Sequence, residues 1–486
     1  MRLPPPTPAR TDLAQITEAV LDVEAELRLL EQRVANVAFW ERIRFKVHRQ
    51  LLVRRGVMMP ATAQPPALRR WLALVRKLKP ALFRSALRGV PNCTAFFLGR
   101  GRRVMIPGQG WRSPYFGPLL PGCPTDSVVA EFFGTQPFSP AADGVPSLSM
   151  DAVNLRAFLR RARGSSVRLP ANVRSLLTEV AQRLTDRTGT VVDVPRLVEA
   201  DLNRRSRTID LYDRVITDSG ARVLVLVAAY LDHTAVEVAR RRAIPVVELQ
   251  HGVVSSHHLG YHYPETGGRP STFPNWFLSW GDYWATAADW PLPDDRIVPT
   301  GFARFDRDCE AASEIRRVPG KILFISQTML GERLSRFAAE LARLGFRDRI
   351  TFRLHPREEA GWRRRYPWLL EAGVQVSGAR EPLYPALRKA DVLVGTFSTA
   401  LFEGLGLGAR VFLVQAPGIE YMDALIRDGR ATLVRIPGEL AARLEGEPPP
   451  PSQEVWGADF FVPNARDQTC SAIDAIARGA APGTMP

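Results

Sequence analysis

Cysteine and histidine are scarce in this 486-residue chain, with 4 and 7 copies. Cys93, Cys123, Cys309 and Cys470 lie far apart and form no Cys-x-x-Cys pair, so neither a zinc site nor a disulfide framework is indicated and a reducing compartment is expected. Long apolar runs are missing as well: no window reaches the ~18 uninterrupted apolar residues of a membrane-spanning helix. The opening "MRLPPPTPARTDL" lacks the apolar stretch of a signal peptide. Both absences lead to the expectation of a cytoplasmic chain that neither crosses a bilayer nor is exported. No internal repeat appears. Acid is absent from one long segment: between Arg42 and Thr125 there are seventeen Lys or Arg and no Asp or Glu, which exceeds the net charge of +15 for the whole chain.

That segment asks for an anionic neighbour. "RRWLALVRKLKPALFRSALR" (69–88) interleaves bases with Trp, Leu and Phe at helical spacing, the pattern of an interfacial helix on anionic headgroups. A solvated basic face and nucleic acid are the competing readings. No zinc-finger spacing, RNA-binding aromatic signature or basic-zipper layout accompanies the charge, so no nucleic-acid partner is expected. The membrane reading places the protein peripherally, at the inner face of the cytoplasmic membrane.

With 45% apolar and 24% charged residues the composition is globular. The length suits two cores and an appendage, because single cores stop growing near ~250 to 300 residues. Leu13, Ile16, Val20, Val23, Leu27, Leu30, Val34 and Val37 recur at heptad a and d spacing, which predicts a coiled coil over residues 12–40 and a homodimer; the alternative is a long amphipathic helix lying on its own chain. From about residue 90 short apolar runs ("CTAFFLGR", "ARVLVLVAAY", "IPVVELQHG", "NWFLSWG", "DRIVPTGF") alternate with helical stretches. The pattern restarts after "RRVPGK" with "KILFISQ", "RITFRLHP", "VQVSG", "ADVLVGTF", "ARVFLVQ" and "ATLVRI". Apolar strands alternating with helices predict parallel sheets covered on both faces. The expected fold is α/β, two Rossmann-like doubly wound domains in tandem (91–317 and 318–486, the second ending in a helix) after a helical and coiled-coil extension (1–90).

In such sheets ligands sit beyond the carboxyl ends of the strands, where helix N-termini present free N–H groups. The conspicuous polar motifs all follow strands. Gln250, His251 and Gly252 come after "PVVEL"; His251 is the candidate general base, since a neutral imidazole accepts a hydroxyl proton near pH 7, against the alternative of a satisfied core histidine. His257, His258 and His262 crowd the same loop and are read as acceptor-binding. Asp232, in "AAYLDHTAVE", is the alternative base. In "GTFSTALFEGLGLGA" (395–409) Ser398 and Thr399 occupy a helix start where phosphate fits, and Glu403 is placed to accept from a ribose diol; an ordinary N-cap is the plainer reading. "RLHPRE" adds His355, Arg353 and Arg357 as cationic donors, and Gln327 opens the first loop of the second domain. No metal is expected: "DRD" (306–308) spells an Asp-x-Asp metal motif, but such triplets arise by chance and this one follows a turn, and the histidine loop has neither a cysteine nor the helical i, i+4 pairing of a zinc site.

"IPVVELQHG", "GFARFD", "RLHPRE" and "ADVLVGTFSTALFEGL", in this order, resemble the GT-B glycosyltransferases of bacterial surface polysaccharide synthesis, across roughly residues 220–430. The chain is most similar to the capsule and lipopolysaccharide transferases (CMP-Kdo and CMP-sialic acid users) and to the CDP-glycerol glycerophosphotransferases. The resemblance implies transfer from a nucleotide-sugar donor, with a cytidine nucleotide favoured, to a surface-polysaccharide or lipid-linked glycan acceptor. It implies no cofactor, His251 as base or donor-phosphate contact, and His355, Ser398, Thr399 and Glu403 around the nucleotide. Residues 1–150 carry none of it, and the acidic base motif of sialyltransferases has no match. A polyol-phosphate transferase, a sugar-nucleotide 2-epimerase and a non-catalytic basic binding protein are the alternatives.

Overall fold

Val223–Val227 reads VLVLV, and a strand apolar at every position can only be satisfied inside a sheet covered on both faces. The computed structural model describes residues 12–58 and 83–482, apart from 101–102, 107–109, 124–125, 134–137, 143, 163–166, 265–268, 379 and 447–458. It contains two such sheets. The first comprises β1 (Ala95–Gly99), β2 (Val128–Glu131), β3 (Ser147–Ser149), β4 (Val223–Val227), β5 (Val246–Leu249), β6 (Trp276–Ser279) and β7 (Ile297–Pro299), and every pairing is parallel. The second comprises β8 (Ile322–Ile325), β9 (Ile350–Arg353), β10 (Gln375–Ser377), β11 (Val392–Gly395), β12 (Arg410–Val414) and β13 (Thr432–Val434), again all parallel.

The spatial orders are β7-β6-β5-β4-β1-β2-β3 and β10-β9-β8-β11-β12-β13. Counted from its own first strand, each sheet runs 3-2-1-4-5-6, the order of dinucleotide-binding folds, and the first adds a seventh strand. Two doubly wound domains in tandem are therefore present, as the alternation of strands and helices predicted. The order reverses between β1 and β4 in one sheet and between β8 and β11 in the other, and crevices for ligands open at such reversals. Two strands of these sheets were missed: Val128–Glu131, a short apolar run broken by Glu131, and Ser147–Ser149, which has a single apolar residue.

The N-terminal coiled coil is overturned. Helix α1 (Asp12–Glu26) stops after Glu26, a short antiparallel hairpin at 33–38 follows, and α2 (Phe39–Arg54) folds back. Leu13, Ile16, Val20 and Val23 are at most 1% exposed, buried in one cluster with Trp40, Ile43, Val47 and Leu51 of α2 and with Leu177, Val180, Leu184, Val198 and Leu202 of helices 171–188 and 194–218. The a and d stripe is real, but its partner is the chain itself, so residues 12–40 offer no seam for a homodimer. Part of the basic segment is paired within the chain. Arg42, Lys46, Arg44, Arg55, Arg100 and Arg103 are ion-paired with Asp201, Glu24, Asp12, Asp232 and Glu131. Much of what looks like surplus charge along the chain is thus neutralised by acids distant in sequence. Most of residues 69–88 lie outside the described residues.

Packing also crosses the boundary at 317/318. Helix α3 (Ala303–Glu310) bridges toward the second sheet, beyond which comes α4 (Thr399–Gly406). The last helix, α5 (Ala465–Ala477), leaves the second sheet and lies on the first, with Ile473 and Ile476 in one cluster with Phe97, Val223 and Val225. Gly301 makes this crossing possible: its φ is +86°, and a Cβ there would sit 2.2 Å from the Val462 carbonyl oxygen and 2.5 Å from Ala465 Cβ. Cys123 and Cys470, both free thiols, lie side by side where α5 passes the 120–123 turn. No described helix is long and apolar enough to cross a membrane.

Ile16→Ala should lower stability by about 2–5 kcal/mol through the cavity it leaves, with an unchanged sedimentation coefficient. Loss of mass in sedimentation velocity would instead restore the dimer seam.

Candidate functional site

Strand β5 ends at Leu249, and the chain leaves the sheet through Gln250, His251 and Gly252. The Gln250 side chain secures this exit, donating to the Gly252 carbonyl (3.0 Å) and accepting from Trp280 N–H (2.8 Å) beyond the tip of β6. His251 is half-buried and set among tyrosines. Its carbonyl accepts from Tyr115 Oη (2.9 Å), its Nε2 lies 3.1 Å from Tyr230 Oη, and its Nδ1 lies 3.1 Å from Tyr261 Oη. The Tyr261 hydroxyl in turn donates to Glu248 Oε1 at 2.5 Å. Both ring nitrogens are thus held in a defined direction, as a base must be.

The other histidines of the loop pack around this one. His258 stacks between Phe45 of α2 (ring centroids 5.1 Å) and Tyr261 (4.7 Å), and its Nδ1 accepts from Gly260 N–H. His262 Nδ1 accepts from Asp289 N–H at 3.1 Å, while its carbonyl accepts from the buried Arg44. Burial holds both His262 and His257 below the ordinary imidazole range, His257 down to about 4, so both are neutral near pH 7. Arg44, paired through two hydrogen bonds to Glu24 and also donating to Leu259 O, supports the loop from behind.

Asp232 lies at the reversal between β1 and β4, and Ala228 before it takes a left-handed conformation (φ 60°, ψ 61°) that only a crowded strand tip justifies. The Asp232 carboxylate is 2% exposed and fully occupied by a two-pronged contact with the Arg100 guanidinium. Of the two candidate bases, Asp232 is buried and anchors Arg100, whereas His251 is half-buried.

At the reversal of the second sheet, Gln327 after β8 and Phe397 after β11 exchange hydrogen bonds, the Gln327 amide donating to Phe397 O and Phe397 N–H donating to Gln327 Oε1 (3.1 Å). Ser398 caps α4, its Oγ accepting from Ala400 N–H, so that Thr399 begins the helix with the first-turn N–H groups at its end. His355, beyond β9, stands 3.1 Å from Thr328 Oγ1, and its Nδ1 accepts from Arg357 N–H (3.2 Å). With Nδ1 accepting, the neutral ring carries its proton on Nε2. The buried Glu358 accepts from His355 N–H and from Tyr366 Oη, which fixes the turn. Arg357 is exposed, while Arg353 donates to Glu381 O, at the outer side of β9.

Glu403 is buried at 8% exposure on the face of α4 toward α3, with Arg304, Tyr384 and Asp308 as its charged and titratable neighbours. Burial pushes its carboxyl up to about 7, partly offset by Arg304. The "DRD" triplet has structural duties: Asp306 Oδ2 accepts from Ala465 N–H at the start of α5, and Asp308 pairs with Arg304 and Arg307. Among the described residues no group of three or more His, Cys, Asp or Glu is arranged to hold a metal.

The two sets of strand tips are joined directly. The His257 ring meets Tyr421, and Tyr421 meets Phe397, the residue before Ser398, at centroid distances of 6.3 and 5.5 Å. Val254 and Tyr261 share a hydrophobic cluster with Leu401, Phe402 and Ile419 of the second domain, against which Phe397 and Tyr115 pack. Tyr115, Tyr230, Tyr261, Glu248, Thr328 and Glu358 were not singled out in the sequence. One signal was available: Glu248 interrupts an otherwise apolar strand, and a carboxyl at a buried strand position requires a reason.

No family model matches the chain, and no curated protein does. Solved structures similar to it include a glycotransferase of kitacinnamycin (14% identity, TM-score 0.45, covering 80% of this chain and 100% of that one). The UDP-GlcNAc 2-epimerase of Methanocaldococcus jannaschii is also similar (9%, 0.45, 77% and 98%), as is MurG of Acinetobacter baumannii (12%, 0.44, 79% and 99%). At these scores the likeness carries none of the functional reading, which rests on the residues above.

Glu403 supplies a pH test. Unfolded, its carboxyl ionises near 4.5, whereas folded it holds its proton to about 7. Its stabilising contribution is therefore complete below 4.5 and is lost as pH rises through 7, about 3 kcal/mol in all. Glu403→Gln should gain stability relative to the parent by that amount between pH 4.5 and 8 in paired unfolding curves. Parallel curves would refute the buried-carboxyl assignment.

Proposed function

We propose that this chain is a glycosyltransferase of the GT-B kind, acting in the groove between its two sheets without a metal. The observation that supports it is the union of two strand-tip sets: a tyrosine-held histidine on one sheet, and a capped helix start with Gln327 and His355 on the other, linked through Tyr421. In this reading the donor's phosphates meet the first-turn N–H groups of α4, with Ser398, Thr399 and the Nε2–H of His355 as further donors and Arg357 as the nearby cation. His251 removes the proton from an acceptor hydroxyl; that oxygen attacks the anomeric carbon; the bond to the phosphate oxygen breaks and the nucleotide leaves with the electron pair. Developing charge on the leaving phosphate is met by N–H donors already in place, which is where such sites lower the barrier most. Gln250, Gly252, His257, His258 and His262 border the acceptor side; Glu403, expected to accept from a ribose diol, is instead buried toward α3 against Arg304, Tyr384 and Asp308 and takes no part in nucleotide binding in this reading. No cofactor enters.

The finer parts of the proposal come from the motif resemblance: a cytidine nucleotide as donor and a surface-polysaccharide or lipid-linked glycan as acceptor. A thermal-shift panel of CMP, CDP, UDP and GDP tests the first, since a ligand at 100 times its Kd stabilises by about 2.7 kcal/mol. One nucleotide should raise the midpoint, and Ser398→Ala and His355→Ala should remove the shift. His251→Ala should keep it while losing ~10²–10⁴-fold in kcat. If none of the four shifts the midpoint, the proposal falls. CMP released from a CDP-alcohol would make the chain a polyol-phosphate transferase, and interconversion of UDP-sugars without acceptor would make it an epimerase.

A peripheral position on anionic inner-leaflet lipid belongs to the same proposal and rests on the bases of 69–79. Replacing Arg69, Arg70, Arg76, Lys77 and Lys79 by Glu should abolish cosedimentation with phosphatidylserine vesicles. Unchanged cosedimentation would place the contact elsewhere.

A further inference from the structure

Glu248 sits in the middle of β5 with 0% exposure, beside Leu226 of β4 and Phe277 of β6 in register. A carboxyl among apolar strands persists only through its partners. Here they form a row: Glu248 Oε1 to Tyr261 Oη (2.5 Å), Tyr261 Oη to His251 Nδ1 (3.1 Å), and His251 Nε2 to Tyr230 Oη (3.1 Å). Each phenol carries one proton, and a neutral imidazole carries one on either nitrogen. The row therefore has two self-consistent directions. With Glu248 as carboxylate, Tyr261 donates to it, the Tyr261 oxygen accepts from Nδ1–H, and Nε2 is left as a lone pair facing the Tyr230 hydroxyl. With the proton on Oε1, Glu248 donates to Tyr261, Tyr261 donates to Nδ1, and the imidazole proton resides on Nε2, where it blocks the base.

We propose that Glu248 and Tyr261 are positioning residues that select the tautomer of His251, the ionised form of Glu248 producing the imidazole whose Nε2 accepts a proton. The inference rests on His251 acting as the base. The groups facing Glu248 are few. On its own sheet they are Asp232, which disfavours the charge but is itself held by Arg100, and the Ala228 and Ala229 N–H groups, which favour it; on the 257–263 loop they are Tyr261 and, stacked upon it, His258. Burial outweighs the favourable contacts and pushes the carboxyl up to about 8, so the balance between the two directions of the row shifts as the pH rises through that range. Asp232 thereby acquires a duty beyond anchoring Arg100: its charge helps to keep Glu248 protonated until the pH rises.

The test reads the tautomer itself and needs no substrate. In the full chain labelled with ¹⁵N-histidine, long-range proton–nitrogen correlations distinguish Nδ1–H from Nε2–H, and the His251 signals are those missing in His251→Gln. The ring should pass from Nε2–H toward Nδ1–H as the pH rises through about 8, and both Glu248→Gln and Tyr261→Phe should abolish that passage. The second variant keeps the aromatic packing and so guards against a folding defect in the first. A single tautomer across the range, or the same titration in Glu248→Gln, overturns the proposal. In a transferase assay, Tyr261→Phe should lower kcat about ten-fold or more with little change in donor KM. A titrating tautomer in a chain without transferase activity would sink the functional reading and leave the tautomer control standing.

Discussion

An aromatic core shared between the two sheets holds the whole arrangement together. Trp280 stacks on Phe302 and Phe461, Phe305 stacks on Phe461 at 4.1 Å with rings 10° from parallel, and Trp284 packs on Phe402 while its Nε1 donates to the Phe460 carbonyl. These residues come from the tip of β6, from α3, from α4 and from the returning segment before α5. Each aromatic side chain buried there contributes on the order of 2–3 kcal/mol by area alone. The result is a fixed relation between two sets of strand ends. A parallel sheet buried on both faces has nowhere else to carry polar chemistry, so fixing the tips fixes the site.

The N-terminal helices serve the same end from the other side. Arg44 is fully buried, yet its guanidinium is satisfied by Glu24, by two carbonyls of the histidine loop and by the face of Tyr263 at 4.0 Å. Arg42 likewise ties α2 to Asp201 and Thr234. Buried pairs of this kind contribute little net stability but are costly to half-remove, and they define a unique docking of one segment on another. Phe45, on the same helix, completes the stack on His258 and Tyr230. The segment that looked like an appendage is a wall of the site.

Much of the fold was legible along the chain. Eleven strand-like runs were read and each is a strand in the structure, because strands covered on both faces leave an uninterrupted apolar signature. The glutamine-histidine-glycine, histidine-proline and serine-threonine motifs all lie at strand tips, as their positions after those runs implied. What escaped is of another kind. The heptad stripe of residues 13–23 specifies an apolar face without specifying what covers it. The basic run of 42–125 looks unopposed only while its partners, up to 195 residues away as with Arg42 and Glu237, are out of view.

Local order therefore settles which segments are strands, which are helices and where chemistry is permitted, since these follow from the periodicity of burial within a few residues. Long-range packing settles who meets whom: that Tyr261 stands between Glu248 and His251, that Asp232 is spent on Arg100, and that Tyr421 of one domain touches His257 of the other. Hydrogen bonds and ring contacts act over a few ångströms in space, whatever the distance along the chain, and no spacing rule along a linear sequence encodes that proximity.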